Sequence, residues 1–128
     1  MNNKRLFAAL AVVLALSGCA RTEPVHNVKE TVSAQYSSDQ MKNAILQAGL
    51  SRQWAMHQVE PGVIDGHLAQ RGHVADVRVT YTPGQYTINY VGSQNLLAEN
   101  GQIHRNYNRW IMNLDQDIKL RLSAQTVN

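Results

Sequence analysis

Pro61-Gly62, Arg71-Gly72 and Pro83-Gly84 each lie in a connection of two to four residues between two runs of strand-like residues. So short a connection allows antiparallel pairing and no crossover. The runs are Arg52 to Val59, Val63 to Gln70, His73 to Tyr81 and Tyr86 to Val91. Arg71-Gly72 suits a two-residue hairpin loop. Thr82-Pro83-Gly84-Gln85 places Pro and Gly where a type II turn wants them. The expectation is a four-stranded antiparallel meander.

The three turns also predict one register. Arg71-Gly72 sets Leu68 against Ala75, Gly66 against Val77 and Ile64 against Val79. Pro83-Gly84 sets Val79 against Ile88 and Val77 against Tyr90, and the first turn sets Trp54 against Leu68 and Met56 against Gly66. All three place apolar residues on a common face, which a slip of one residue would destroy. Gly66, beside Met56 and opposite Val77, is expected to leave room for a helix to approach.

Helices flank this meander. Ser37-Ser38-Asp39-Gln40 has the pattern of a capping box. Met41, Ala44, Ile45 and Ala48 follow on one helical face, and Gly49 stands where a helix would stop. The first helix is read as Ser38 to Ala48. A long second helix, Ile103 to about Ala124, carries the stripe Ile103, Tyr107, Trp110, Ile111, Leu114, Ile118 and Leu122. Asp115/Lys119 and Asp117/Arg121 are spaced as i,i+4 pairs. The fold expected is α+β, two-layer, in the order α-β-β-β-β-α, with helices on one sheet face.

Ahead of this body lies a leader. Lys4 and Arg5 precede an apolar run from Leu6 to Leu16, too short to span a bilayer and suited to a secretory signal. It closes on Leu16-Ser17-Gly18-Cys19, which resembles the lipobox of bacterial lipoprotein precursors. The resemblance implies cleavage before Cys19, lipidation of its sulfur and, with Ala20 rather than Asp next, sorting to the periplasmic face of the outer membrane. The expected organisation is a signal peptide over 1–18, a lipidated cysteine and flexible tether over 19–36, and one domain over 37–128. Val25, Val28 and Val32 suggest at most a short helical turn in the tether.

Charge and cysteine content narrow the partners. The 128-residue chain has 12 Lys and Arg against 9 Asp and Glu, and losing Lys4 and Arg5 with the leader leaves a net charge of +1. No nucleic-acid partner is expected, because such a surface needs clustered positive excess. The single cysteine excludes an internal disulfide framework and a cysteine-rich metal site. No metal or other cofactor is expected.

Chemistry-bearing residues fall on the sheet's polar face. The register lines up His57, Asp65, Arg78 and Asn89 in one row and puts His67 beside Asp76 in the next. A His–Asp couple can orient an imidazole for proton transfer or support a metal ligand. The simpler account is a solvated face with cross-strand charge pairs. Trp54, Tyr81, Tyr86, Tyr90, Tyr107 and Trp110 would either line a slot between sheet and helix or pack as core, with Asn106, Asn108 and Asn113 as partners for their polar atoms. His104, Asn108 and Arg109 share a flank of the long helix, either as a partner-binding edge or as a polar border.

From Ile45 to Ile118 the chain resembles a family of small, functionally uncharacterised lipoproteins of Gram-negative bacteria. Ala48-Gly49, Trp54, Pro61-Gly62, Arg71-Gly72-His73, Tyr86 to Tyr90, Ser93 to Leu96 and Ile103 to Trp110 carry the resemblance. It implies an envelope location and brings no activity. Small α/β lipoproteins that help to assemble outer-membrane β-barrels are similar only in size and location. The function expected is therefore a non-catalytic interaction or scaffolding module with an envelope protein partner. The alternatives are a small-ligand or lipid binder using the sheet–helix slot, and a hydrolase or metal-binding protein using His57/Asp65 and His67/Asp76.

Overall fold

The computed structural model describes residues 21–125, so the leader, the lipobox and Cys19 lie outside the described residues. The elements run β1 (Thr22–Pro24), β2 (Val28–Thr31), α1 (Ser38–Ser51), β3 (Ala55–Glu60), β4 (Val63–Gln70), β5 (His73–Thr82), β6 (Gln85–Gln94), β7 (Gln102–His104) and α2 (Arg105–Ser123). The class is α+β, as expected, but the meander has acquired a fifth strand. The antiparallel sheet has the order β2-β6-β5-β4-β3, and β1 and β7 form a separate two-stranded ribbon.

The added strands come from the segment read as a tether. Val28 to Thr31 pair with Ile88 to Gln85 along the free edge of β6. Thr22 to Pro24 pair with His104 to Gln102. Val28 is buried in the core, so the three valines form no helical turn. Its polar flanks hid this strand from the sequence, because a four-residue edge strand has room for little more than one buried side chain.

The register stands as predicted across all three turns. Leu68 faces Ala75, Gly66 faces Val77 and Ile64 faces Val79, while Val79 faces Ile88 and Val77 faces Tyr90. Met56 faces Gly66; Trp54 lies one residue before β3 and is buried. Arg71 and Gly72 both have positive φ, 53° and 80°, as a type I′ hairpin requires. Gly62, at φ 85° after Pro61, supplies the left-handed residue of a type II turn. At Pro83-Gly84 the expected type II geometry is absent: Gly84 has no positive φ, and its N–H is held by Thr82 Oγ1 at 3.3 Å.

Helix α1 starts as expected, with Ser37 Oγ accepting from Gln40 N at 3.1 Å and Gln40 Oε1 accepting from Ser37 N at 2.9 Å. It runs past Gly49 to Ser51. The stop is a Schellman motif in which Gln53, at φ 68°, takes the left-handed position. Trp54 N bonds the Gly49 carbonyl at 2.9 Å and Gln53 N bonds that of Leu50 at 3.1 Å. Gly49 serves packing instead. A Cβ there would lie 2.4 Å from Met56 Cγ, so the missing side chain lets the helix close over β3. The room expected at Gly66 is filled by Trp54, Met56 and Val77.

Helix α2 begins at Arg105, because Ile103 belongs to β7; His104 is the N-cap and accepts from Asn106 N through Nδ1 at 3.1 Å. Tyr107, Ile111, Leu114, Ile118 and Leu122 are buried as the stripe predicted, and Trp110 is partly buried. They pack with Met41, Ala44, Ile45 and Ala48 of α1 against Ile64, Leu68, Val77, Val79 and Ile88 of the sheet. Each large aliphatic side chain buried here contributes roughly 1.5–3 kcal/mol. Asp115 pairs with Lys119 at 3.2 Å, and Lys119 also reaches Glu30 of β2. Asp117 holds Arg52 Nε at 2.6 Å, tying the end of α1 to α2, while Arg121 donates to Gln47 Oε1 at 3.1 Å. Among the described residues no helix is long and apolar enough to cross a membrane.

Candidate functional site

Strand alternation sends one set of side chains into the core and the other onto the opposite face. On that outer face the predicted row is present: His57 faces Asp65, Asp65 faces Arg78 and Arg78 faces Asn89. Arg78 forks onto Asp65, with Nε to Oδ1 at 2.8 Å and the second nitrogen to Oδ2 at 3.1 Å. The Arg78 guanidinium hydrogen-bonds the Asp65 carboxyl and holds it below the usual carboxylate range, with a smaller contribution from His57. In the next row His67 Nδ1 lies 2.6 Å from Asp76 Oδ1.

These rows line an open depression of about 530 Å³ with Ala55, Gly66 and Val91 among its walls. Val91 stands at a β-bulge: Val77 faces Tyr90 while Asp76 faces Gly92, leaving Val91 as the extra residue. Its side chain is 61 % exposed. The sequence carried a signal for this bulge: Val91 follows Tyr90 where the alternation calls for a polar residue, and Gly92, a residue that often marks a bulge within a strand, comes next.

The two His–Asp couples differ. His67 and Asp76 are in hydrogen-bond contact, whereas the Asp65 carboxylate is engaged at both oxygens by Arg78. Among the described residues no group of three or more His, Cys, Asp or Glu side chains is arranged to hold a metal ion.

The flank of His104, Asn108 and Arg109 is engaged largely within the fold. Asn108 is 7 % exposed and works inside the fold. Its Nδ2 donates to Glu23 Oε1 at 3.0 Å and to the Pro24 carbonyl at 2.9 Å, while its Oδ1 accepts from His26 N at 3.0 Å. It pins the N-terminal strap, residues 21–31, to α2. His104 is occupied as helix cap, and only Arg109 of the three is exposed. It borders a groove of about 640 Å³ along the flank of α2.

The aromatic residues pack as core. Trp54, Tyr86 and Tyr107 are buried to within 2 %. Tyr90 and Tyr107 meet edge to face with centroids 5.4 Å apart. The expected asparagine partners are replaced by Asp115 Oδ1 for Tyr86 at 2.5 Å, Gln58 for Tyr81 at 2.9 Å and Ser93 for Tyr90 at 2.8 Å. The Tyr107 hydroxyl is buried with no partner among the described residues, and burial pushes its ionisation well above the ordinary tyrosine range. Trp110 forms part of the rim of a smaller depression with Arg52, Trp54, Gln70 and Arg109.

No protein-family profile and no curated protein matches this chain.

Proposed function

We propose that the protein is a lipoprotein held by lipid on Cys19 at the periplasmic face of the outer membrane, acting there as a non-catalytic interaction module. The observation that carries the interaction role is the outer face of the sheet. The helices cover the opposite face, while here Val91 is 61 % exposed beside Arg78 and Asp65, which neutralise each other. A partner burying this face gains apolar contact at Val91 without stranding an unpaired Asp65 or Arg78 charge. The lipid anchor rests on the lipobox-like Leu16-Ser17-Gly18-Cys19.

Two experiments test the two halves. A photo-crosslinking residue in place of Val91, in living cells, is expected to yield a discrete adduct with one envelope protein. The absence of any adduct at Val91 would remove the interaction role. Blocking the lipoprotein signal peptidase is expected to accumulate precursor, and Cys19→Ala is expected to leave the membrane fraction. A Cys19→Ala protein that stays wholly membrane-bound would refute the anchor.

A second reading has its own observation, the 2.6 Å contact between His67 and Asp76 at the edge of the depression. It would make the depression a small-ligand or hydrolytic site in place of the sheet–helix slot. His67→Ala and Asp76→Asn would then abolish binding or turnover while leaving folding intact.

A further inference from the structure

The end of the molecule from which the N-terminal strap leaves gathers positive charge. Gly72, in the β4–β5 turn, accepts from Asn95 Nδ2 at 2.7 Å. Leu96, the next residue, accepts from His104 N at 2.8 Å, and Arg105 N reaches the Arg21 carbonyl at 3.2 Å. This chain of contacts brings Arg21, Arg71 and Arg105, all exposed, to one end together with Leu97, which is 56 % exposed. Two acidic residues lie nearby: Glu99, further round the same loop, where its backbone bridges to Gln102, and Glu23, whose carboxylate accepts from Asn108 on the flank of α2. The opposite end, by the Pro61-Gly62 and Pro83-Gly84 turns, carries Asp39 and Glu60 beside Lys42. Strand β5 has ten residues, and at about 3.3 Å per residue the two ends stand roughly 30 Å apart.

We infer that this basic end rests directly on a phospholipid surface bearing anionic headgroups, so that the body sits on the membrane in one orientation. The inference rests on the reading of Cys19 as lipidated. Arg21 stands two positions after Cys19, a span of at most about 7 Å, so a lipid on Cys19 brings Arg21 to the headgroups. Arg21 belongs to the folded body through its bond to Arg105, and the ribbon beginning at Thr22 leaves no slack beyond it. Electrostatic attraction fades over about 8 Å at physiological ionic strength, so arginines at this end feel the surface and charges at the far end do not. Leu97 supplies an apolar side chain that can enter the headgroup layer beside them.

The test uses the full-length, processed protein in vesicles of phosphatidylethanolamine with a minor share of phosphatidylglycerol. A lipidated Cys19 has no free thiol, so Leu97→Cys and, separately, Gly84→Cys each offer one labelling site. A Cβ at Gly84 meets nothing within 4 Å, so that control is expected to fold. A fluorophore at Leu97→Cys is expected to be quenched several-fold more by a headgroup nitroxide lipid than one at Gly84→Cys. The contrast is expected to collapse when Arg21, Arg71 and Arg105 are all changed to Gln. Equal quenching at the two ends, or a contrast unmoved by the three changes, would overturn the inference while the anchor stands, provided the protein floats with the vesicles. Wild-type protein that fails to float and shows a reactive Cys19 thiol would overturn the anchor and this orientation with it.

Discussion

Asn108 on α2 donates its side-chain amide to the carbonyl of Pro24 at 2.9 Å, across more than eighty residues of chain. With its bonds to Glu23 and to His26 N, one buried side chain replaces the strand partners that the strap lacks between β1 and β2. Asn108→Ala is expected to leave the His26 N–H and Pro24 carbonyl unpaired and to cost about 1–3 kcal/mol. Hydrogen exchange should rise first in residues 22–26 while β4 and β5 stay protected. Uniform loss of protection would show that the strap unfolds only with the whole domain.

Gly49 and Met56 form a coupled pair. In Gly49→Ala the new Cβ would meet Met56 Cγ at 2.4 Å, which is overpacking near the middle of a side chain rather than at its mobile tip. A loss of about 1–3 kcal/mol is expected by urea unfolding. Gly49→Ala combined with Met56→Ala should cost less than the two single changes added together. Additive costs would mean that the helix moves as a whole to admit the methyl group.

Tyr107→Phe removes a buried hydroxyl that has no partner among the described residues. Its expected effect on stability lies between neutral and slightly stabilising, because the desolvation cost disappears and no hydrogen bond is lost. A loss of more than about 1 kcal/mol would show that the hydroxyl is bonded in solution, by a buried water.

Acid weakens the fold through two carboxylates. Arg78 holds Asp65, and Arg52 holds Asp117, below the ordinary carboxylate range, in each case chiefly through the side-chain hydrogen bond. A carboxylate depressed on folding stabilises the protein above its unfolded pKa of about 4, and that contribution is lost as pH falls through the folded value. Stability should therefore decline below about pH 4, and less steeply in Asp117→Asn. High salt should reduce the effect of Asp65→Asn more than that of Asp117→Asn, since the Asp65 side chain is 43 % exposed and that of Asp117 17 %.

How much could be read in advance follows from how local each cause is. Turn residues act on their own neighbours, so Arg71-Gly72 and Pro61-Gly62 determined their hairpins. With side chains alternating at every second residue, that was enough to place His57, Asp65 and Arg78 in one row from the sequence alone. The capping box at Ser37 and the buried stripe of α2 were equally legible, for the same local reason.

Tertiary structure alone decided the rest. Val28 becomes a strand only because β6 has a free edge and the core has space beside Ile88. Gly49 lies within a helix instead of ending it because Met56 is underneath, and Gln53 can take the left-handed position because Trp54 is drawn into the core. Asn108 looked like a surface residue until the strap folded over it. Periodicity and turn chemistry describe a segment's own preferences; which of several acceptable neighbours it meets is set by the packing of residues far away in the chain.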